Sequence, residues 1–360
     1  MKVGLIGCGV IGLSHLKKVK KLLPDAKIFL CDMDETKCKE FMNKYSVNGY
    51  YNNVDTFLIK ENPDSVHILT PPFSHFEIAQ KCLDANANVF IEKPITDISD
   101  EFKILLQLAN DKNKIICGDY STLGMPIVIE AKEEIKKGEL GRLISMHINW
   151  AGSPGDFSIP YSDPYHWAYK LRGGILKNMI DHPISVVLSF LDNIYNYKIT
   201  CLSRNVLPNE VDDLIQITFN NDDQIGSLLL SFGHGCNHRS ADLLFEAGVI
   251  TLDFSKQLYY CNKGRGRQNF IKKAFGGIAE GNAYIGGTLK NFYNTLTGKL
   301  QKDPGIANIM SNYYNAIQYN ENLLVPHSLI LKITSTLDKV WENIESEKRI
   351  ENNILSENVI

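Results

Sequence analysis

The first 120 residues alternate short apolar runs with amphipathic stretches. Runs such as Lys2–Ile6 and Lys27–Cys31 are typical of strands buried on both faces, and the stretches between them repeat apolar residues at helical spacing. Further strands are predicted at Ser65–Leu69, Asn88–Ile91 and Ile115–Gly118; the predicted helices are Val10–Leu23, Asp34–Tyr45 (capped by Asp34), Asn53–Lys60, Ser74–Ala87 and Ile98–Asp111. This alternation predicts a doubly wound parallel sheet, a Rossmann domain over residues 1–121.

The pattern changes after residue 121. A helix is predicted at Pro126–Lys137, a strand at Leu143–Trp150, a loop over 151–172 and a helix at Gly174–Phe190. Strand-like runs then follow without intervening helices and predict a largely antiparallel sheet: Ile194–Ser203, Leu214–Phe219, Ile225–Ser231, Leu243–Ala247, Val249–Asp253 and Leu258–Cys261. Helices near Ala283–Leu296, Ile309–Tyr319 and His327–Ile344 complete a second α/β domain over 122–348, and a polar tail over 349–360 is expected to fray.

Composition and charge exclude several classes of function. The net charge of -3 gives no reason to expect nucleic acid or an acidic membrane surface as a partner. No apolar run approaches the roughly 20 residues of a membrane span, and the N-terminus is interpreted as a buried strand rather than a signal peptide. The eight cysteines form no CxxC pair, which is typical of free thiols in a reducing cytoplasm. Cys236 lies near His234 and His238, but no further ligand is obvious and no metal site is predicted.

A glycine-rich turn follows the first predicted strand. Residues 7–12, Gly-Cys-Gly-Val-Ile-Gly, fit the pattern G-x-G-x-x-G and open the first helix. The pattern alone is weak, but here the glycines permit a tight turn and let a pyrophosphate approach the helix N-terminus, where free N–H groups attract negative charge. The loop is therefore predicted to bind a dinucleotide through Gly7, Gly9, Val10, Ile11 and Gly12.

Asp32 ends the second predicted strand, 20 residues after Gly12. A carboxylate at this place binds the ribose hydroxyls of the adenosine. Its charge repels the 2′-phosphate of NADP, and the following residues Met33-Asp34-Glu35 supply no cation to offset that repulsion. NAD is therefore the predicted cofactor, and a solvated loop acid is the alternative for Asp32.

A longer composite motif spans residues 66–94, VHILTPPFSHFEIAQKCLDANANVFIEKP. Its order of strand, Thr-Pro, His, helix, second strand and Glu-Lys-Pro resembles the glucose–fructose oxidoreductase / inositol dehydrogenase (Gfo/Idh/MocA) family. The resemblance implies cofactor contacts from Thr70, Pro71, His75, Glu92 and Lys93, with a purely structural role as the alternative for His75. It also implies an open C-terminal sheet whose face commonly makes homodimers or homotetramers.

The resemblance continues to about residue 190. Residues 138–142, GELGR, match the family's turn at the domain junction, and Trp167 followed by residues 173–182, GGILKNMIDH, resembles its active-site segment. Asn178 stands where the family usually has Asp, and Ile180 replaces its second Gly. Asn occurs at this place in members that act on nucleotide sugars, which favours a nucleotide sugar as substrate. Residues 117–122, CGDYST, lack the Arg that many relatives carry, so a substrate contact by that Arg is not expected here.

Oxidation of a secondary alcohol requires a general base within hydrogen-bond reach of the hydroxyl. His182 is the predicted base because an imidazole titrates near neutral pH, and Lys93 is predicted to stabilise the developing alkoxide. Asn178 cannot act as a base, but its amide can orient a sugar. A helix places Asn178 and His182 on one face provided that Pro183 does not disturb it, whereas Asp181 lies about 100° further round and is a poorer candidate.

Two segments leave alternatives open. The basic stretch over 256–273, with interleaved aromatics, is either a solvated surface or a grip for a diphosphate. The segment Tyr161–Tyr169, which contains His166 and Trp167, either lines a sugar pocket or packs in the core. The leading hypothesis is an NAD-dependent dehydrogenase of a sugar or nucleotide sugar. The alternatives are a free-sugar or inositol dehydrogenase and a non-catalytic NAD-binding sensor.

Overall fold

The chain forms two compact units in a computed structural model of the protein. The structure describes residues 1–152, 163–191, 194–233, 237–264, 270–298 and 303–357, with the backbone alone for 210, 270–274, 276, 279 and 347–357. The first unit comprises residues 1–120 together with 307–338, and the second contains the rest of the described chain. Residues 307–338, which the sequence pattern assigns to the second domain, therefore cluster with the first unit.

The first unit contains a six-stranded parallel sheet with the order β3-β2-β1-β4-β5-β6. Its strands are β1 (Lys2–Ile6), β2 (Lys27–Cys31), β3 (Gly49–Tyr51), β4 (Ser65–Ile68), β5 (Asn88–Glu92) and β6 (Ile116–Asp119), and its crossover helices are α1 (Val10–Leu22), α2 (Glu35–Lys44), α3 (Val54–Glu61), α4 (His75–Asp84) and α5 (Ser99–Asp111). The predicted Rossmann fold is confirmed. Only β3 is absent from the sequence prediction, because three residues are too few to show a period.

Local capping and long-range tyrosine contacts explain how this unit is built. Asp34 caps α2 by accepting a hydrogen bond from the amide of Thr36, as predicted.

The C-terminal helix α9 (Pro304–Tyr319) brings two tyrosines onto β4. The Tyr313 hydroxyl lies 2.9 Å from Ser65 Oγ, and the Tyr314 hydroxyl lies 2.7 Å from a nitrogen of the His67 ring. These buried contacts join residues 307–338 to the first unit.

The second unit contains a seven-stranded sheet with the order β13-β12-β11-β7-β10-β9-β8. Only β7 and β10 are parallel neighbours, so the predicted, largely antiparallel sheet is confirmed. Its strands are β7 (Leu143–Gly152), β8 (Asn196–Leu202), β9 (Leu214–Asn220), β10 (Ile225–Phe232), β11 (His238–Phe245), β12 (Gly248–Asp253) and β13 (Leu258–Lys263), and its helices include α6 (Pro126–Lys136), α7 (Gly174–Phe190) and α8 (Phe270–Leu296).

Burial alternates along the central strand β7. From residue 145 to residue 150, Met146, Ile148 and Trp150 are buried, whereas His147 between them is exposed and Ser145 and Asn149 are half-buried. This period of two is typical of a sheet with one covered face, and α7 packs on β7 and β10 from the covered side. The buried residues of β7 and the residues of α7 that face them therefore pack in the same core.

The last helix, α10 (His327–Glu357), is longer than predicted. The sequence pattern predicts fraying beyond residue 348. The helix continues to residue 357, because residues 349–357, RIENNILSE, contain no Gly or Pro and include good helix formers. Among the described residues, no helix combines the length and apolar character needed to cross a membrane.

Candidate active site

The predicted cofactor residues share one edge of the first unit's sheet. In a parallel sheet all carboxyl ends meet at the same edge, where α/β proteins bind their ligands. The glycine loop follows β1, Asp32 follows β2, Thr70 follows β4 and Lys93 follows β5. The fold therefore gathers these segments, which are far apart along the chain, at a single edge.

The glycine loop has the shape that a pyrophosphate requires. Gly7 has a φ of +105°, and a Cβ at this position would lie 2.7 Å from the backbone of Leu69. A Cβ on Gly12 would lie 2.2 Å from the carbonyl oxygen of Gly7. Gly9 differs, because no atom lies within 4 Å of where its Cβ would be. Gly7 and Gly12 thus allow backbone segments to approach more closely than a side chain would permit. Gly9 leaves open space beside the first amides of α1, which fits a bound phosphate group.

Asp32 holds the glycine loop as well as facing the predicted adenosine site. One carboxylate oxygen accepts a hydrogen bond from the amide of Cys8 at 2.7 Å, and the other accepts from the amide of Asp34 at 2.9 Å. An ionised carboxylate offers about four acceptor positions, so these two bonds leave capacity for ribose hydroxyls. The side chain therefore fits the predicted NAD contact and also fixes the loop to β2.

His75 connects the two motifs of the 66–94 segment. Its ring is fully buried, with one nitrogen 2.7 Å from the Thr70 carbonyl and the other 2.9 Å from the Pro94 carbonyl. Burial lowers the pKa of His75, although both carbonyl contacts favour the proton. Backbone carbonyls thus lie beside both nitrogens, and the residue holds Thr70 and Pro94 in place, which is the structural role named as the alternative. The contact with the cofactor stays a prediction.

Glu92 and Lys93 lie at the end of β5. One Glu92 oxygen accepts a hydrogen bond from the Lys93 amide at 3.0 Å, and the other lies 3.7 Å from His15 Nε2. Burial opposes the charge of Glu92, but His15 and Lys93 outweigh it and lower the pKa of this carboxyl. Glu92 is therefore an anchored anion beneath the backbone of the predicted catalytic lysine.

A buried polar network that the sequence analysis missed extends inward from Glu92. His15 of α1 lies 3.2 Å from Asp119 at the end of β6 and 3.0 Å from the ring of His67 on β4. Burial opposes a charge on His15, but Asp119 and Glu92 raise its pKa. Burial and the charge of Glu92 raise the pKa of Asp119 to about 6. Burial and the neighbouring His15 hold the pKa of His67 well below its ordinary value.

These pKa shifts, together with the contact distances, indicate which atoms of the network carry protons. A protonated His15 donates from Nε2 to Asp119 and from Nδ1 to Nδ1 of a neutral His67. His67 then donates from Nε2 to the hydroxyl of Tyr314. One side-chain nitrogen or oxygen atom from each of His15, Glu92 and Asp119 lies within 4.8 Å of the other two, and the imidazolium between the carboxylates offsets one of their two negative charges. We therefore interpret the cluster as an ion-paired support for the end of β5.

In the second unit, His182 is held by two residues that the sequence analysis did not select. Its Nδ1 lies 3.0 Å from the hydroxyl of Thr122, which is 1% exposed. The Trp150 ring stacks on the imidazole with a centroid distance of 5.9 Å and an interplanar angle of 14°. On the neighbouring strand β11, Arg239 lies opposite Trp150, and its guanidinium is 5.3 Å from the centroid of the Trp150 ring. Thr122 and Trp150 together fix the position and the plane of the predicted base.

Helix α7 carries the remaining predicted residues. It runs from Gly174 to Phe190 through Pro183 without a break, so Asn178 and His182 lie on the same face. Asn178 is 3% exposed and Asp181 1% exposed, whereas His182 is only partly buried. The arrangement places His182 nearer to solvent than either neighbour, as a proton-transferring group requires.

Other segments singled out in the sequence have simpler environments. Lys256 pairs with Asp253 at 2.6 Å, and Lys263 pairs with Glu139 at 2.7 Å, so these two lysines of the basic stretch form ion pairs within the chain. His166 packs against Trp167 and accepts a hydrogen bond from the amide of Ala168. Residues 265–269, 153–162 and 234–236 lie outside the described residues; they include Arg265, Arg267, Tyr161, His234 and Cys236.

Two family models match the chain. Residues 1–120 match the model described as "Oxidoreductase family, NAD-binding Rossmann fold", and residues 128–251 match the "GFO/IDH/MocA C-terminal domain". The chain belongs to the Gfo/Idh/MocA family. As a Gfo/Idh/MocA protein it is an NAD-binding oxidoreductase, and the geometry of the glycine loop and Asp32 fits that cofactor.

Known Gfo/Idh/MocA relatives resemble parts of the sequence. Oxidoreductase P35 of Formosa agariphila is 22% identical over 54% of this chain and 63% of its own length. Levoglucosan dehydrogenase of Pseudarthrobacter phenanthrenivorans is 26% identical over 52% of this chain and 50% of its own length. Inositol 2-dehydrogenase of Salmonella typhimurium is 24% identical over 41% of this chain and 45% of its own length. The chain thus spans less than two thirds of each of these relatives.

Solved Gfo/Idh/MocA structures share the fold over nearly the whole chain. A levoglucosan dehydrogenase in complex with NADH and levoglucosan has a TM-score of 0.76 at 16% identity, covering 96% of this chain and 97% of its own. A UDP-N-acetylglucosamine 3-dehydrogenase from Acidithiobacillus ferrooxidans has a TM-score of 0.69 at 15% identity, covering 94% and 96%. At this identity the likeness shows the common fold.

Proposed function

We propose that the protein is an NAD-dependent dehydrogenase that interconverts a secondary alcohol and a ketone on a sugar, and that the sugar is part of a nucleotide sugar. The observation that carries the proposal is the fixed orientation of His182. The Nδ1 of His182 faces the Thr122 hydroxyl, and its ring stacks on Trp150. Catalytic bases are typically oriented in this way, by a hydrogen-bond partner at one nitrogen.

Proton transfer follows from this arrangement. When His182 Nδ1–H donates to Thr122 Oγ1, Nε2 carries the lone pair that accepts the proton of a substrate hydroxyl. Lys93 supplies the positive charge that stabilises the alkoxide as the proton leaves. Glu92 accepts a hydrogen bond from the Lys93 backbone, and His15 fixes Glu92 in turn, so the lysine extends from an ordered strand end.

The cofactor residues have distinct tasks. The amides around Gly9 hold the pyrophosphate and Asp32 holds the adenosine ribose, which leaves the nicotinamide end toward the strand ends of β4 and β5. When bound, NAD supplies the hydride acceptor for the alcohol carbon. Asp32 also disfavours a 2′-phosphate by its charge.

The choice of a nucleotide sugar rests on Asn178. The family resemblance associates Asn at this position with nucleotide-sugar substrates, and an amide side chain contains both donor and acceptor groups, which suit a sugar hydroxyl or amide group. Two neighbours in fold support this substrate class: a UDP-N-acetylglucosamine 3-dehydrogenase, and a dehydrogenase from Bordetella pertussis in complex with NADH and UDP-GlcNAcA.

The test measures NADH formation with a panel of nucleotide sugars, free sugars including levoglucosan, and inositols. We expect turnover with a nucleotide sugar, reduced about 100-fold or more in His182→Ala and Lys93→Ala. Lys93→Ala should still bind NADH in a fluorescence titration. Lys81→Ala, which removes an exposed lysine of the same unit paired with Asp55, is the matched control and should keep wild-type turnover.

Three outcomes would contradict different parts of the proposal. Turnover confined to free sugars or inositols would refute the nucleotide sugar and leave the dehydrogenase. Tight NADH binding without turnover across the panel would refute the enzyme and favour a non-catalytic NAD-binding sensor. Wild-type turnover in His182→Ala would remove His182 from the reaction.

A further inference from the structure

Helix α8 packs on its own unit through its polar and glycine face. Asn291 donates hydrogen bonds to the backbone carbonyls of Lys256 and Gln257, and Lys290 pairs with Glu130 at 2.6 Å. Gly287 approaches β13 so closely that a Cβ would lie 2.8 Å from Leu258. An amphipathic helix normally buries its apolar face, so this orientation is inverted.

The opposite face of α8 is an apolar stripe. Six large side chains on it are each 58% to 70% exposed: Phe275, Ile278, Ile285, Leu289, Phe292 and Leu296. With Asn282 included, the stripe positions recur at alternating intervals of three and four residues over three heptads. This spacing is that of the a and d positions of a coiled coil, in which such side chains pack against a second helix.

The stripe is large enough for a stable interface. A Phe side chain buries about 150–250 Å² when covered, and Ile and Leu side chains lie near the lower end of that range, so the six at this exposure present roughly 600 Å². A typical monomer exposes contiguous apolar patches of a few hundred Å², and a standard interface covers about 800 Å² on each partner. The exposed area therefore matches one side of a protein–protein contact.

The residues beside the stripe favour a second helix of the same sequence. The flanking positions Gly281, Gly286, Thr288 and Thr295 are small or uncharged, and no atom lies within 4 Å of a Cβ placed on Gly281 or Gly286. Helices that lie on membranes are rich in Lys or Arg on the polar face, whereas Lys290 on the polar face of α8 is held in an ion pair with Glu130. Asn282 is exposed in the middle of the stripe, and a single Asn at an a position sets the register of a two-stranded pair.

We propose that the apolar stripe of α8 packs against the same stripe of a second copy of this chain. The two helices run parallel, and the Asn282 amides of the two copies pair with each other, because each amide has both a donor and an acceptor. This surface differs from the open sheet face from which the family resemblance predicts association. It also goes beyond the proposed function, since no catalytic or cofactor residue lies on α8.

The first experiment compares molar masses by sedimentation and light scattering. Ile285→Glu and Leu289→Glu place a charge in the stripe and should halve the mass of the assembly, with unchanged melting behaviour at limiting dilution and unchanged NADH binding. Ile104→Glu is the matched control, because Ile104 is 51% exposed on α5 of the first unit, and it should keep the wild-type mass. A wild-type mass in both stripe variants would overturn the proposal.

The second experiment tests the register and the alternative partner. Asn282→Cys should form a covalent dimer on mild oxidation, whereas Ile104→Cys and the wild type should not; absence of that dimer would overturn the parallel arrangement. Wild-type protein should not float with anionic phospholipid vesicles. Flotation that Ile285→Glu abolishes, together with an unchanged mass for that variant, would assign the stripe to a membrane surface instead.

Discussion

Replacing Thr122 with Val removes the hydroxyl that faces His182 and leaves almost the same shape. Thr122 Oγ1 lies 3.0 Å from His182 Nδ1, and the threonine is 1% exposed. Val keeps the branched Cβ and nearly the same volume, so the surrounding packing has little reason to move. The substitution therefore isolates the hydrogen bond that orients the proposed base.

The size of the effect follows from the partner that is lost. A net hydrogen bond is worth about 1 kcal/mol, and a buried polar atom without a partner costs about 1–3 kcal/mol. His182 is only partly buried, so its ring can turn toward water and recover some of that loss. We expect about 1–2 kcal/mol in the barrier, which lowers kcat about 5- to 30-fold. KM should change less than about twofold, because the bond positions the base rather than the substrate.

Steady-state rates of NADH formation, measured across a pH series, check this expectation. Thr122→Ser keeps a hydroxyl and is the matched control, with kcat close to that of the wild type. Equal losses in Thr122→Ser and Thr122→Val would attribute the effect to packing, and a wild-type kcat in Thr122→Val would refute the orienting role altogether. Thermal melts of both variants establish that the compared proteins are folded.

Three further predictions concern the first unit. Gly12→Ala places a methyl 2.2 Å from the Gly7 carbonyl, so NADH affinity should fall at least about tenfold in a fluorescence titration, and retained affinity would contradict the loop geometry. Asp32→Asn removes the charge that opposes a 2′-phosphate, so the ratio of NADP to NAD affinity should rise about tenfold; an unchanged ratio would refute the electrostatic argument. The pKa of His67 lies well below its ordinary 6.5 through burial and the charge of His15, so below pH 6.5 the unfolded chain binds a proton that the folded chain does not, and the free energy of unfolding falls on acidification by at most about 1.4 kcal/mol per pH unit. In His67→Gln the melting temperature should therefore fall less between pH 6.5 and about pH 5 than in the wild type, and an equal fall would exclude His67 as a source of acid sensitivity.

Most of the fold was predictable because its signals are local. The βαβ alternation, the cap at Asp34 and the glycine loop each depend on residues within about a dozen positions, and the structure agrees with them. The placement of residues 307–338 was not predictable, since it depends on Tyr313 and Tyr314 reaching β4 some 250 positions earlier. A periodic pattern identifies such a helix but contains no information about the strand on which it packs.

The residues of the candidate site also differ in how far the sequence predicts them. Lys93 and Asp32 follow strand ends that the pattern locates, and His182 belongs to a recognisable motif. The sequence draws attention to Thr122 only as part of residues 117–122, which lack an expected Arg. Its contact with His182 joins residues 60 positions apart. Trp150 was placed correctly on a strand, but the stacking on His182 depends on how β7 meets α7. The support of the site is thus set by tertiary packing, which a single sequence does not display.

The carbonyl contacts of His75 have a thermodynamic consequence for ligand binding. They join the segment after β4 to the segment after β5 before any ligand arrives, so the two segments are ordered during folding. A binding site whose parts are already ordered loses less conformational entropy when it is occupied. The heat and entropy of NAD association should therefore reflect mainly the ordering of the cofactor itself, with little contribution from the protein chain around Thr70 and Pro94.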